Sequence, residues 1–144
     1  MDILILNGPN LNRLGKREPD IYGTVTLKDI EKRTADYGSK KGITVTCKQS
    51  NWEGQLIDWI HEAAEKMDGI IINPGAFTHY SYAIRDAVAS IDVPVIEVHI
   101  SNIHAREDFR KNSVIAPVSG GQISGFGPAG YEMAIDYLVR RKNV

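Results

Sequence analysis

Short apolar runs alternate along this chain with longer stretches in which apolar residues recur at the helical period. The runs predict strands at Ile3–Asn7, Ile43–Cys47, Gly69–Asn73, Val95–Ile100 and Val114–Val118. The periodic stretches predict helices near Thr26–Lys41, Gly54–Lys66 and Tyr80–Ser90, a short turn near Ala105–Lys111, and a last helix near Pro128–Arg141. In the second helix Leu56, Ile57, Ile60, Ala63, Ala64 and Met67 make one apolar stripe. Alternating strands and helices imply a parallel sheet covered on both faces. Five strands in 144 residues predict a flavodoxin-like three-layer α/β sandwich, one domain spanning 1–144. Such sheets bind ligands beyond the C-terminal ends of their strands, at the switch point.

The polar residues that interrupt this pattern gather at those strand ends. In Pro94-Val95-Ile96-Glu97-Val98-His99-Ile100-Ser101, Glu97 and His99 are two apart and so project from the same face of a strand. A carboxylate beside an imidazole fixes its tautomer and keeps it charged near neutral pH, which makes a proton donor. The other reading is a satisfied core histidine, but a lone Glu in a strand buried on both faces is costly. The first strand ends in Asn7-Gly8-Pro9-Asn10, a tight turn carrying two amides. The third ends in Asn73-Pro74-Gly75-Ala76-Phe77-Thr78-His79, where Thr78 is expected to cap a helix opened by His79, with Asp86 two turns on. Asn73 and His79 read as a binding rim. Ile100-Ser101-Asn102 is expected to lead into a short helix whose first N–H groups attract an anion, with Arg110 in reach of a hydroxyl or carboxylate.

One segment is too long for a simple connection. Residues 11–24 carry Arg13 and, between Gly15 and Gly23, Lys16, Arg17 and Tyr22, and loops of that length are usually functional or disordered. It reads either as a solvated basic loop anchored by its tyrosine, or as an active-site lid hinged at the two glycines. As a lid it would set Arg17 beside Tyr22, and a nearby cation lowers a phenol's pKa and favours a phenolate base.

Composition narrows the classes. The chain is 42% hydrophobic and 24% charged, with net charge −1, so no global field favours nucleic acid or an anionic membrane. Its one cysteine, Cys47, excludes an internal disulfide or cysteine metal cluster and reads as core filler. Met1–Asn7 is too short for a secretory apolar region, and no run approaches the length of a membrane span, so a cytoplasmic location is expected. Gly125-Phe126-Gly127-Pro128-Ala129-Gly130 matches G-x-G-x-x-G, but too little chain follows for a dinucleotide unit. These glycines are expected to turn the chain into its last helix, with Pro128 in the first turn. His61 has no partner at metal spacing and is expected on a helix surface. A receiver module would need an acid pair where Asn7 stands. A flavin carrier would need a phosphate-binding turn after the first strand, where the chain has Pro9. A non-catalytic flavodoxin-like binding module is the remaining alternative to an enzyme.

Taken together, Asn7-Gly8-Pro9-Asn10-Leu11, Leu14-Gly15-x-Arg17-Glu18-Pro19, Tyr22-Gly23, Asn73-Pro74-Gly75-Ala76-Phe77-Thr78-His79, Glu97-Val98-His99-Ile100-Ser101-Asn102, Arg106-Glu107-x-Phe109-Arg110 and Gly125-Phe126-Gly127 resemble the signatures of the type II 3-dehydroquinate dehydratases over nearly the whole chain. One departure is Trp52, where the family pattern has histidine. The resemblance implies a lyase that reversibly dehydrates 3-dehydroquinate to 3-dehydroshikimate on the shikimate route. It implies no cofactor and a homo-oligomer, a dodecamer built from trimers. It also implies roles: Tyr22 as base favoured by Arg17, Asn10 holding a water or dipole against an enolate oxygen, and His99, oriented by Glu97, as acid. The substrate carboxylate would lie on the N–H groups of Ile100 and Ser101 with help from Asn73. His79 and Arg110 would read ring hydroxyls, and Asp86 would join the site, in some members across a subunit boundary. An imine route would instead need a desolvated lysine, and Lys16 is the one lysine near this constellation.

Overall fold

A computed structural model describes residues 1–16, 20 and 23–143. Five strands, β1 (Asp2–Asn7), β2 (Thr44–Gln49), β3 (Gly69–Asn73), β4 (Val95–His99) and β5 (Gly121–Ser124), form one sheet. The order is β2-β1-β3-β4-β5, and every pair is parallel. Among the described residues four helices cover it: α1 (Leu27–Lys40), α2 (Glu53–Lys66), α3 (Tyr82–Ala89) and α4 (Ala129–Lys142). This is the flavodoxin-like sandwich expected from the alternation of elements.

Strand alternation decides which residue meets which helix layer. In β1, Ile3 and Ile5 join Ile71, Ile96, Val98, Ile30 of α1 and Ile135 and Leu138 of α4 in one core. Leu4 and Leu6 point the other way, to Ile70, Ile72, Leu56 and Ile60 of α2 and Ile84 and Val88 of α3. By the same parity Asn7 and Asn73 end their strands on the α1–α4 face, whereas Glu97 and His99 lie on the α2–α3 face.

The helix starts have local causes. Thr26 and Asp29 form a reciprocal capping box on α1, with Asp29 N–H on Thr26 Oγ1 at 3.2 Å and Thr26 N–H on Asp29 Oδ2 at 3.0 Å. The cap of α3 is Ser81, whose Oγ accepts the Ile84 N–H at 3.0 Å. Thr78, expected in that role, instead sits in a 3₁₀ turn over Gly75–His79, and its hydroxyl is taken by a long-range partner described below. The turn expected near Ala105–Lys111 is two 3₁₀ turns, Ile103–Ala105 and Asp108–Arg110.

The fifth strand also departs from expectation. Val114–Val118 does not enter the sheet. Ser113 Oγ accepts the N–H groups of Ile115 at 3.1 Å and Ala116 at 2.9 Å, and Arg85 Nη1 donates to the Val114 carbonyl at 3.0 Å. Pro117 has no N–H to give a ladder. The run therefore ends in a 3₁₀ turn at Ala116–Val118, and its apolar content goes to burying Ile115 in the α2–α3 core. The place beside β4 is taken by Gly121–Ser124, which sets Gln122 opposite Glu97 and Ser124 opposite His99.

Candidate active site at the switch point

β1 and β3 are neighbours, and their connections leave in opposite directions, so a crevice opens beyond Asn7 and Asn73. The two turns that follow pack closely. Gly8 N–H donates to the Asn73 carbonyl at 2.8 Å, and a Cβ on Gly8 would stand 2.5 Å from the Pro74 carbonyl oxygen, so only glycine fits. Asn10 takes the left-handed conformation, φ 69°. Its N–H is held at 3.0 Å by Asn51 Oδ1.

A cleft of about 170 Å³ lies there. Its volume is below the roughly 300–1,000 Å³ of sites for drug-sized ligands, and so suits a small metabolite. Of the residues singled out from sequence, Asn10, Asn73, His79, His99, Ile100, Ser101 and Arg110 line it together. Glu97 stands directly behind His99. Asp86 stands exposed on α3 and does not line the cleft in this chain. Tyr22 and Arg17 lie outside the described residues. The described start of their loop is a 3₁₀ turn, Leu11–Arg13, that buries Leu11 and Leu14 against the cleft. Gly15, φ +85°, presses on the loop's far end, where a Cβ would meet the Thr24 carbonyl oxygen at 3.0 Å.

Glu97 is fully buried and its carboxylate is surrounded by donors. Thr78 Oγ1 donates to Oε2 at 2.6 Å, Gln122 Nε2 to Oε2 at 3.0 Å and Ser113 Oγ to Oε1 at 2.8 Å. His99 Nε2 closes the set with a short hydrogen bond to Oε2. Burial alone would push the carboxyl up. The hydrogen bond and charge of His99, with Thr78 and Gln122, outweigh it and hold Glu97 below the ordinary carboxylate range. Each bond to a charged acceptor contributes about 1.5–3 kcal/mol, enough in sum to offset a desolvation cost of several kcal/mol. With Nε2 engaged, Nδ1 is the His99 nitrogen left for a ligand in the cleft.

His79 is oriented differently. Its Nδ1 lies 2.8 Å from the Asn112 carbonyl oxygen. A carbonyl only accepts, so Nδ1 carries the proton and neutral His79 offers Nε2 as an acceptor. Burial pushes this imidazole below its ordinary value, and the positive charges of His99 and Arg110 add to that effect. Arg110 is braced by Glu107 at 2.8 Å and stacks on Phe109. Arg106 shares the wall. Two guanidinium groups thus line a small cleft, an arrangement that selects an anionic ligand.

The glycine run Gly125–Gly130 serves this wall. Gly125 N–H donates to the His99 carbonyl at 3.2 Å and Gly127 N–H to the Ile100 carbonyl at 3.0 Å, before Pro128 caps α4. Trp52, the departure from the family pattern, is 77% exposed at the start of α2 and does not line the cleft. Cys47 is half-buried in β2, and burial pushes its thiol up. His61 is exposed on α2. Among the described residues no cluster of His, Cys, Asp or Glu has the makings of a metal site, and no helix is long and apolar enough to cross a membrane.

Sequence reading missed Arg106 as a lining residue and Thr78, Ser113 and Gln122 as the donors behind Glu97. Arg106 had a signal in its place four residues before Arg110 in the Arg106-Glu107-x-Phe109-Arg110 motif. The three donors had none, because each reaches Glu97 only through the fold.

The sequence model of dehydroquinase class II matches residues 1–139. The chain is 64% identical to a 3-dehydroquinate dehydratase of Halalkalibacterium halodurans over 133 residues, covering 92% of each. It is 58% identical to that of Bacillus subtilis over 139 residues, covering 96% of this chain and 94% of the other. The solved structure of the type II dehydroquinase from Butyrivibrio crossotus superposes with a TM-score of 0.95 at 55% identity, covering 96% of this chain and 97% of that one. With its sequence matched over residues 1–139 and its fold superposed over 96% of its length, the chain belongs to the dehydroquinase class II family and is a hydro-lyase.

Proposed function

We propose that the chain dehydrates 3-dehydroquinate to 3-dehydroshikimate through an enolate, on the shikimate route to aromatic amino acids. The observation that carries this reading is the buried Glu97–His99 pair opening on a cleft with a cationic wall. The difficulty in the reaction is removing a proton next to a ketone at neutral pH. Tyr22, as a phenolate favoured by Arg17, takes that proton, and the electron pair moves onto the ketone oxygen. Asn10 holds a water or dipole against the resulting enolate, an oxyanion-stabilising role. The enolate then collapses, the carbon–hydroxyl bond breaks, and the imidazolium of His99 protonates the departing hydroxyl to give water.

The remaining contacts place the ring. The substrate carboxylate lies on the Ile100 and Ser101 N–H groups with Asn73. His79 accepts a hydrogen bond from a ring hydroxyl at Nε2, and Arg110 adds a charged donor. Asp86 serves a neighbouring copy, since it is exposed on α3 and away from this chain's cleft. A dodecamer of trimers in the cytoplasm completes the proposal. An ultraviolet assay tests the activity. Purified protein with 3-dehydroquinate should produce the absorbance of a conjugated enone, and a flat trace at micromolar enzyme refutes the assignment. Mixing Asp86→Ala with His99→Ala protein tests the sharing of sites. Activity regained in re-formed mixed oligomers is expected, and none regained refutes it.

A further inference from the structure

Among the described residues Tyr131 is the largest side chain with no exposure. It comes from the first turn of α4, on the opposite face of the sheet from Glu97 and His99, and ends beneath the tips of β1 and β3. A buried phenol needs partners for its hydroxyl, and here it has two. Tyr131 O–H donates to Asn7 Oδ1 at 2.6 Å, and Asn73 Nδ2 donates to the Tyr131 oxygen at 3.1 Å.

One backbone group orders this network. Gly75 N–H lies 3.1 Å from the Asn73 side-chain oxygen and can only donate. That places Oδ1 toward Gly75 and therefore Nδ2 toward Tyr131. The Tyr131 oxygen must then accept from Asn73, and its own proton goes to Asn7. Burial pushes the phenol well above its ordinary value, so the hydroxyl keeps that proton. Among the described residues nothing takes the second N–H of Asn73, which stands at the wall of the cleft.

We propose that Tyr131 is a positioning residue for the reaction: with Gly75 it locks the Asn73 amide so that the cleft receives an N–H donor rather than an oxygen. The ligand atom this selects is an acceptor, such as a carboxylate oxygen. A turned amide would set Oδ1 against that carboxylate, repelling it. The inference rests on Asn73 as a substrate-binding residue.

Tyr131→Phe removes one oxygen atom and keeps the ring. Releasing the amide loses about one hydrogen bond to a charged acceptor, so KM should rise roughly tenfold or more. The kcat should stay within about threefold of the parent and the pH profile should keep its shape, because no proton-transferring group is moved. Asn73→Ala should raise KM by itself. Adding Tyr131→Phe to Asn73→Ala should then change KM by less than about twofold, since the amide to be held is gone. Equal effects of Tyr131→Phe in both backgrounds, or an unchanged KM in the single variant, would overturn the proposal while leaving Asn73 a binding residue. An unchanged KM in Asn73→Ala would instead refute the parent reading, and the proposal with it. Asn7→Ala, which removes the acceptor of the Tyr131 proton, provides the same cycle if the phenylalanine variant does not fold. A KM rise confined to the Asn73 background is again the supporting result, and a rise in both backgrounds the refuting one.

Discussion

Glu97 and His99 meet through Oε2 and Nε2 within β4, and the carboxylate of the pair has no exposure at all. Nothing in a strand alone stabilises a charge in that position. The stabilisation comes from three other segments: the 3₁₀ turn carrying Thr78, the loop carrying Ser113, and β5 carrying Gln122. The pair is therefore a product of the whole C-terminal edge of the sheet, and its chemistry and its stability respond together.

The pH dependence of folding should show this. Glu97 is held below its ordinary value, so its folded-state pKa is lower than its unfolded one. The unfolded chain then binds the extra proton, and stability falls as pH drops from about 4.5 through the lowered folded value. Urea unfolding between pH 3 and 7 should show this loss in the parent, and Glu97→Gln should flatten it. An equally steep acid limb in Glu97→Gln would assign the loss to other groups.

Removing single donors should act in the same direction. Thr78→Val deletes the 2.6 Å bond to Oε2 and leaves the carboxylate under-satisfied. A destabilisation of about 1–3 kcal/mol is expected, together with a kcat reduced at least several-fold as His99 loses its fixed partner. A variant as active and as stable as the parent would show that Ser113 and Gln122 suffice.

For the chemical step, Tyr22→Phe should lower kcat by at least ~10²-fold, the low end for general-base catalysis. Arg17→Ala should lower kcat and move the ascending limb of the pH–rate curve to higher pH, since the phenolate loses its neighbouring charge. Near-parental kcat in Tyr22→Phe would remove Tyr22 from the mechanism. An unmoved limb in Arg17→Ala would leave Arg17 only the work of closing the loop.

His79 supplies a prediction for binding. Its folded value lies below the ordinary 6.5, so it is neutral at pH 7 and protonates only in more acidic solution. Protonation turns Nε2 from acceptor to donor. KM should therefore rise as pH falls, with a midpoint below 6.5, and His79→Ala should show a higher KM without that limb. A limb that persists in His79→Ala belongs to another group.

The cationic wall gives a last one. Arg106 and Arg110 both line the cleft, so Arg106→Ala and Arg110→Ala should each raise KM for an anionic substrate by about tenfold or more. Loss of a buried charged hydrogen bond is of that order. Isothermal titration with a small cyclic carboxylate ligand should show the same loss of affinity, and unchanged affinity in both variants would place the anion elsewhere.

The period-2 and period-3.6 patterns were enough for the layers. They place Ile3 and Ile5 on one face and Leu4 and Leu6 on the other, they pair Glu97 with His99, and they put Asn7 and Asn73 at the tips of buried strands. These are local facts, dictated by where a side chain must point in a strand or helix. The loop of residues 11–24 announced itself by length, and the motif spacing carried the family.

Tertiary structure decided the rest, because the deciding bonds join residues far apart in the chain. Thr78 looked like a helix cap and became a donor to Glu97, 19 positions away. Val114–Val118 had the apolar content of a strand, but Ser113, Arg85 and Pro117 drew it out of the ladder, and the plainer Gly121–Ser124 took its place and brought Gln122 to the carboxylate. Tyr131, which no sequence motif singles out, holds an amide 58 positions earlier. A residue's own neighbours settle its direction; which buried charge or amide it must satisfy is settled only when the chain has closed around both.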